Sequence, residues 1–132
     1  MKLNHDLIRL SLLYIEEYAF YRKSVSSDDM IKTKDFADYT KDEIVYTLDK
    51  LIEAGYIKGV IKKSDMDFNP KLIATISSIT WQGHEYLDNI RDDIVWDKTK
   101  KAFSKFTSAS LSVVNKIATQ VITSMIMSAI ND

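Results

Sequence analysis

Residues that could bind phosphate groups recur between positions 41 and 71. Lysine neutralises phosphate charge and releases the counterions condensed on a duplex, which is a main source of nucleic-acid affinity. The formal net charge of the 132-residue chain is −1, so such binding would depend on a local patch. The candidates for contact with nucleic acid are Lys41, Tyr46, Lys50, Lys58, Lys62, Lys63 and Lys71.

Groups that could catalyse a reaction are sparse. Acid–base or metal chemistry needs titratable groups clustered in a cleft, whereas the two histidines, His5 and His84, fall in separate predicted helices. There is no cysteine, and none of the HExxH, GxSxG, P-loop or glycine-rich phosphate motifs occurs. We therefore expect a non-enzyme with no catalytic residue, no metal site and no cofactor.

The elements that would position the lysines follow a predicted amphipathic helix over residues 4–22. Asn4 is its expected N-cap. The polar segment after it is predicted to be a loop with one short strand over residues 30–33. The apolar stripe of the helix, at spacings of three and four, comprises Leu7, Leu10, Tyr14, Tyr18 and Tyr21, with Ile8 and Ile15 beside them.

A second helix begins at Thr40, because Glu43 three residues later completes a capping box. It ends at Gly55, since glycine readily adopts the left-handed conformation that closes helices. The β-formers of "YIKGVIKK" and "KLIATISSIT" then flank the turn-rich "SDMDFNP", which predicts a hairpin, and Thr80 caps a further helix. A glycine-closed helix that leads directly into a hairpin is the element order of a winged helix-turn-helix.

The predicted fold is therefore mainly α with a small β-hairpin wing. A winged helix-turn-helix domain is expected over residues 1–91, followed by a C-terminal amphipathic helical extension over residues 92–132.

The outward face of the helix over residues 41–54 is unsuited to a DNA groove. A duplex carries one negative charge about every 1.7 Å of its axis, and this face offers four acids against one lysine. The wing lysines could still hold phosphates, although a solvated wing explains them equally well. Tyr46 among acids also suits a protein interface, and a half-buried helix residue is its simpler interpretation. The face comprises Asp42, Glu43, Tyr46, Asp49, Lys50 and Glu53.

The last predicted helix has an apolar half that needs a covering surface. Lys116 is the only charged residue between positions 106 and 131, so we expect self-association, at least as a dimer, rather than a transmembrane segment. Packing on its own domain is the alternative, and Lys98, Lys100, Lys101 and Lys105 keep membrane-surface contact as a minority interpretation. The oligomerisation candidates are Leu111, Val114, Asn115, Ile117, Ala118, Val121, Ile122 and Met125, with Asn115 expected to fix the register.

Three stretches carry a family resemblance: "MKLNHDLIRLSLLYIEE", "TKDEIVYTLDKLIEAGYIKG" and "ITWQGHEYLDNIRDDIVWDKTK". They resemble the domain-of-unknown-function 2513 family over most of the chain to about Lys101. These are short proteins of Gram-positive bacteria and their phages, similar in plan to YjcQ-like winged-helix proteins. The resemblance implies a regulator-like fold in a mobile-element setting and no established activity.

We therefore expect a non-catalytic winged-helix regulatory protein of a phage or mobile element, DNA-binding and similar to transcriptional regulators. The alternative is a protein–protein interaction module that uses the acidic helix over residues 41–54, as an antirepressor, anti-defence protein or host-factor binder would. The polar start of the chain lacks a secretory signal, which favours the cytoplasm.

Overall fold

The computed structural model describes residues 1–63 and 71–131 of the chain. It is mostly helical, with one three-stranded antiparallel sheet. The first elements are α1 (His5–Tyr18), β1 (Val25–Ser26), α2 (Ser27–Ile31) and a short 3-10 helix (Lys34–Phe36). They are followed by α3 (Lys41–Glu53), β2 (Ile57–Lys63), β3 (Leu72–Ile79), α4 (Trp81–Ile90), α5 (Asp93–Phe103) and α6 (Leu111–Asn131).

The internal contacts divide the chain into two compact units. Unit 1 is Met1–His84 and unit 2 is Glu85–Asp132. The division falls inside α4, and the boundary expected from the sequence follows that same helix. Unit 1 contains the whole sheet, and unit 2 contains α5 and α6.

Helix α1 begins as the sequence predicts and ends earlier. Asn4 Oδ1 accepts a hydrogen bond from the Leu7 backbone N–H at 3.1 Å, which confirms the N-cap. The helix ends at Tyr18, because the chain turns back through a bridge between Phe20 and Lys23. The predicted stripe was therefore partly wrong: Tyr18 is 49% exposed and the predicted Tyr21, beyond the helix, is 87% exposed. The buried face comprises Leu7, Ile8, Ser11, Leu12 and Ile15.

The strand predicted over residues 30–33 was wrong. Met30 and Ile31 belong to α2, and the short paired piece is β1, just before it. The cause is a capping box: Ser26 Oγ accepts from the Asp29 N–H at 3.1 Å, and Asp29 Oδ2 accepts from the Ser26 N–H at 3.2 Å. Two satisfied backbone donors start a helix here, although Ile31 alone favours a strand.

Both predicted ends of α3 are confirmed. Thr40 Oγ1 accepts from the Glu43 N–H, and Glu43 Oε1 accepts from the Thr40 N–H, each at 3.1 Å. At the other end Gly55 has φ +80°, and the Tyr56 N–H donates to the Leu51 carbonyl at 2.9 Å. This bond satisfies one of the carbonyls that the last helical turn leaves without a partner.

The sheet has the order β1-β3-β2, with all neighbours antiparallel. β2 and β3 form the predicted hairpin, with Val60 opposite Thr75 and Lys63 opposite Leu72. The connection predicted for "SDMDFNP" lies outside the described residues. Val25 pairs with Ile76, so β1 joins the hairpin through β3.

The core of unit 1 is built from α1, α2, α3 and the inward face of the sheet. Ile44, Leu48 and Leu51 of α3 are at most 1% exposed, as the predicted inward face requires. Gly83 at the start of α4 lies so close to the Tyr56 carbonyl oxygen that a Cβ would approach it at 2.1 Å. Thr80 caps α4 as predicted: its Oγ1 accepts from the Gly83 N–H at 3.1 Å.

Unit 2 is organised by the packing of α5 against α6. Asp92 caps α5, because its Oδ1 accepts from the Val95 N–H at 3.0 Å. Residues 104–110 separate the two helices within the segment for which a helical pattern was predicted. Val114 and Ala118, on the first half of α6, are fully buried.

Candidate functional site

The two lysines of α3 that the sequence singles out are held by carboxylates. Lys41 Nζ lies 2.7 Å from Asp28 Oδ1, and Lys50 Nζ lies 2.8 Å from Glu53 Oε2. Lys50 also sits over the ring of Tyr46, 5.6 Å from its centroid. The hydrogen bond that Lys50 donates to Glu53 raises the pKa of Lys50 above its usual value. Neither ammonium group is therefore available to phosphate without losing a partner.

The acids of α3 keep its outward face negative. Asp42 is exposed and Asp49 is half-buried, and no salt bridge to either occurs within the described residues. Glu43 is engaged in the N-terminal capping box. The electrostatic conflict between α3 and a duplex, expected from the sequence, is thus present on the folded surface.

The hairpin carries the basic counterpart. Lys58, Lys62, Lys63 and Lys71 are all exposed, and in the described part of the chain none of them forms a salt bridge. Lys58 and Lys62 point to the same sheet face because side chains alternate along a strand, and they lie about 13 Å apart. Lys63, one residue further on, points to the other face, so the four lysines are spread over both faces and the open end of the hairpin. This uncompensated basic set is called here the basic ribbon.

A cleft of about 580 Å³ lies between α3 and the hairpin. Helix α3 contributes two carboxylates to one wall, and the hairpin contributes apolar side chains and one lysine to the other. We call it the α3–hairpin cleft. Its lining residues are Met1, Lys41, Asp42, Val45, Tyr46, Asp49, Ile61, Lys71 and Leu72.

Neither histidine belongs to a cluster of potential metal ligands within the described residues. His84 is half-exposed, with its Nδ1 3.9 Å from Glu16 Oε2. Within residues 1–63 and 71–131 no group of three or more His, Asp or Glu side chains is arranged to hold a metal ion.

The oligomerisation candidates on α6 fall into two groups. Val114 and Ala118 are buried within unit 2, and Asn115 Oδ1 accepts a hydrogen bond from Asn89 Nδ2 at 2.8 Å. Asn115 is thus engaged inside its own chain, and the register role expected for it in an oligomer loses its basis. Leu111, Ile117, Val121 and Ile122 are half-buried, and Met125 is 37% exposed.

The distal half of α6 is uncovered. From Thr123 onwards every described residue of the helix is exposed, including Ile126 at 51%, Met127 at 53% and Ile130 at 70%. By length and composition alone, α6 could also cross a membrane. One such helix is a weak indicator of membrane contact, since soluble helices meet the same criteria.

The family comparison covers all of unit 1 after Met1 and part of unit 2. The sequence model of the family described as "Hypothetical protein (DUF2513)" matches residues 2–110. The chain belongs to the DUF2513 family. The matched region ends just before α6.

A relative of the DUF2513 chain occurs in Haemophilus influenzae. It is 35% identical over 127 residues, which cover 96% of this chain and 99% of the relative, and it is described as an uncharacterised protein. No solved structure matches the chain.

Sequence reasoning missed the apolar part of the cleft. Val45, Ile61 and Leu72 line it, yet each resembles an ordinary core or strand residue in the sequence. No local sequence signal marks them: the 47% exposure of Leu72 and its pairing with Lys63 are visible only in the folded hairpin. Only the approach of α3 to the hairpin joins these residues to Asp42 and Asp49.

Proposed function

We propose that the chain is a cytoplasmic, non-catalytic regulatory protein of a phage or mobile element that contacts DNA through the basic ribbon. The observation that carries this proposal is the distribution of charge. The ribbon lysines have no salt bridges among the described residues, whereas those of α3 do. The mobile-element setting rests on the family resemblance alone.

The element order supports a winged-helix interpretation of unit 1. A helix, a short strand and two further helices precede a hairpin, and the first strand joins the hairpin through β3. In such domains the helix before the hairpin commonly enters the major groove. Here that helix is α3, whose acids oppose the approach of phosphate.

A two-stranded ribbon offers another way to reach DNA, because the major groove admits a β-ribbon as well as a helix. Lys58 and Lys62 on one face of β2, with Lys63 and Lys71 nearer the open end, suit contacts to successive phosphates. In this proposal the ribbon binds and α3 stays outside the groove. Binding would be modest in affinity and strongly dependent on salt.

The test is a gel-shift titration of the full chain on DNA from its own locus at several salt concentrations. With four lysines engaged, the logarithm of the binding constant should fall with the logarithm of salt with a slope of at most about −3.6. The double substitution Lys62→Glu and Lys63→Glu should weaken binding and reduce that slope by about 1.8.

The matched control is Lys101→Glu with Lys105→Glu, which makes the same change in net charge on exposed residues outside the ribbon. It should leave the slope unchanged. Equal loss of binding in both double variants would show that DNA binding depends on the net charge of the chain and not on the basic ribbon. No shift at low salt would reject DNA binding by this chain.

The second candidate function is a protein-interaction module, which is favoured by the acidic surface of α3. Asp42 and Asp49 lie on either side of Tyr46 along the helix, and charged rims around an aromatic residue are common at protein interfaces. Co-purification of a host or phage protein that is lost on Tyr46→Ala, without any DNA shift, would favour this function.

We further propose that the distal half of α6 is covered by a second copy of the chain. An anionic membrane surface would favour a lysine-rich polar face, whereas Lys116 is the only charged residue described on α6. The uncovered residues 123–131 extend about 13 Å, less than half of a hydrocarbon core of about 30 Å. A spanning arrangement would require α6 to leave α5.

A further inference from the structure

We propose that the α3–hairpin cleft binds an extended peptide segment of a partner protein in which apolar and basic side chains alternate. The inference deepens the second candidate function, on which it rests, and its test does not require DNA. It rests on the size of the cleft and on the different chemistry of its two walls.

The cleft is large enough to receive several side chains. Its volume of about 580 Å³ lies inside the range of roughly 300 to 1,000 Å³ that is usual for binding pockets. Val45, 7% exposed, and Ile61 form an apolar floor, and Leu72 presents an exposed apolar side chain at the hairpin wall. Covering these groups with apolar side chains of a ligand would remove hydrocarbon surface from water.

The α3 wall selects for positive charge. Asp42 and Asp49 are two helical turns apart, about 10 Å along the axis, so both can lie beside one bound segment. Lys41, the neighbouring cation on this wall, is already held by Asp28. A lysine or arginine on the α3 side of the ligand would therefore meet carboxylates that have no salt bridge among the described residues.

An extended segment in the cleft would lie between two walls of different chemistry. Side chains alternate from one side of an extended chain to the other, so one set would face Ile61 and Leu72 on the hairpin wall and the next set would face α3. Apolar residues in the first set and basic residues in the second would therefore meet the surfaces that suit them.

A substitution of Lys71 should change the peptide affinity of the cleft in a direction that can be tested. It lines the cleft opposite the carboxylates, so it repels the cations that Asp42 and Asp49 attract. Reversal of its charge should strengthen binding of a basic peptide. The same substitution should weaken binding of DNA by the basic ribbon, so the two sites respond in opposite directions.

The experiment titrates the full ¹⁵N-labelled chain with four short peptides that alternate leucine or serine with lysine or glutamate. The leucine–lysine peptide should shift the amide signals of Tyr46 and Ile61 saturably, and the other three should bind more weakly. Asp42→Lys with Asp49→Lys should raise its Kd about tenfold or more. Lys71→Glu should lower it.

The control is Asp35→Lys with Asp38→Lys, which makes the same change in net charge on two exposed acids outside the cleft and should leave the Kd unchanged. No saturable shift below about 1 mM, shifts confined to unit 2, or equal effects of the two double variants would overturn the proposal. If a partner protein co-purifies and none of these cleft variants releases it, the cleft is not its binding site. The protein-interaction function would then still be supported.

Discussion

Gly55 closes α3 in a conformation that most residues avoid. With φ +80°, any L side chain at this position is strained, and a new Cβ would also meet Gln82 Oε1 at 3.3 Å. We expect Gly55→Val to lower the free energy of unfolding by about 2 kcal/mol, more than a typical substitution. Gly55→Asn should cost less, because asparagine tolerates this region. Urea denaturation measures both, and equal stability of the parent and the Val variant would contradict the left-handed cap.

At the scale of elements, α2 depends on a capping box rather than on hydrophobic periodicity. Ser26→Ala removes the acceptor for the Asp29 N–H, and should lower the free energy of unfolding by about 1 kcal/mol. The matched control is Ser24→Ala, two residues earlier and exposed, which should leave stability unchanged. Thermal melts of the two variants compare them directly, and indistinguishable midpoints would argue against α2 as a capped helix.

For the whole molecule, the exposed end of α6 predicts self-association. The full chain should be at least a dimer at tens of micromolar by light scattering, since an uncovered apolar helix end is unfavourable in water. Ile126→Asp should produce a monomer because Ile126 is exposed and apolar, whereas Ser128→Asp on the same exposed turn should not.

A chain that ends at Ile122, which keeps the half of α6 that packs on α5, should likewise be monomeric. A full-length chain that runs as a monomer at these concentrations would reject the second copy as the cover. Co-sedimentation of such a monomer with anionic vesicles, lost on Ile126→Asp, would identify lipid as the cover instead.

The sequence by itself determined the features that depend on neighbours along the chain. The N-cap at Asn4, the capping box at Thr40, the left-handed Gly55 and the hairpin that follows all arise from local hydrogen bonds and backbone sterics. The acidic outward face of α3 was also readable, because helical periodicity fixes which residues oppose Ile44 and Leu48.

Only the tertiary structure decided which side chains are available. Asp28, thirteen residues before Lys41, forms an ion pair with it. Asn89 donates a hydrogen bond to Asn115, which the sequence had assigned to an oligomer contact. The cleft exists because α3 and the hairpin approach each other and bring Asp49 near Ile61. Such pairings depend on distances between separate elements, and periodicity along a single helix or strand carries no information about them.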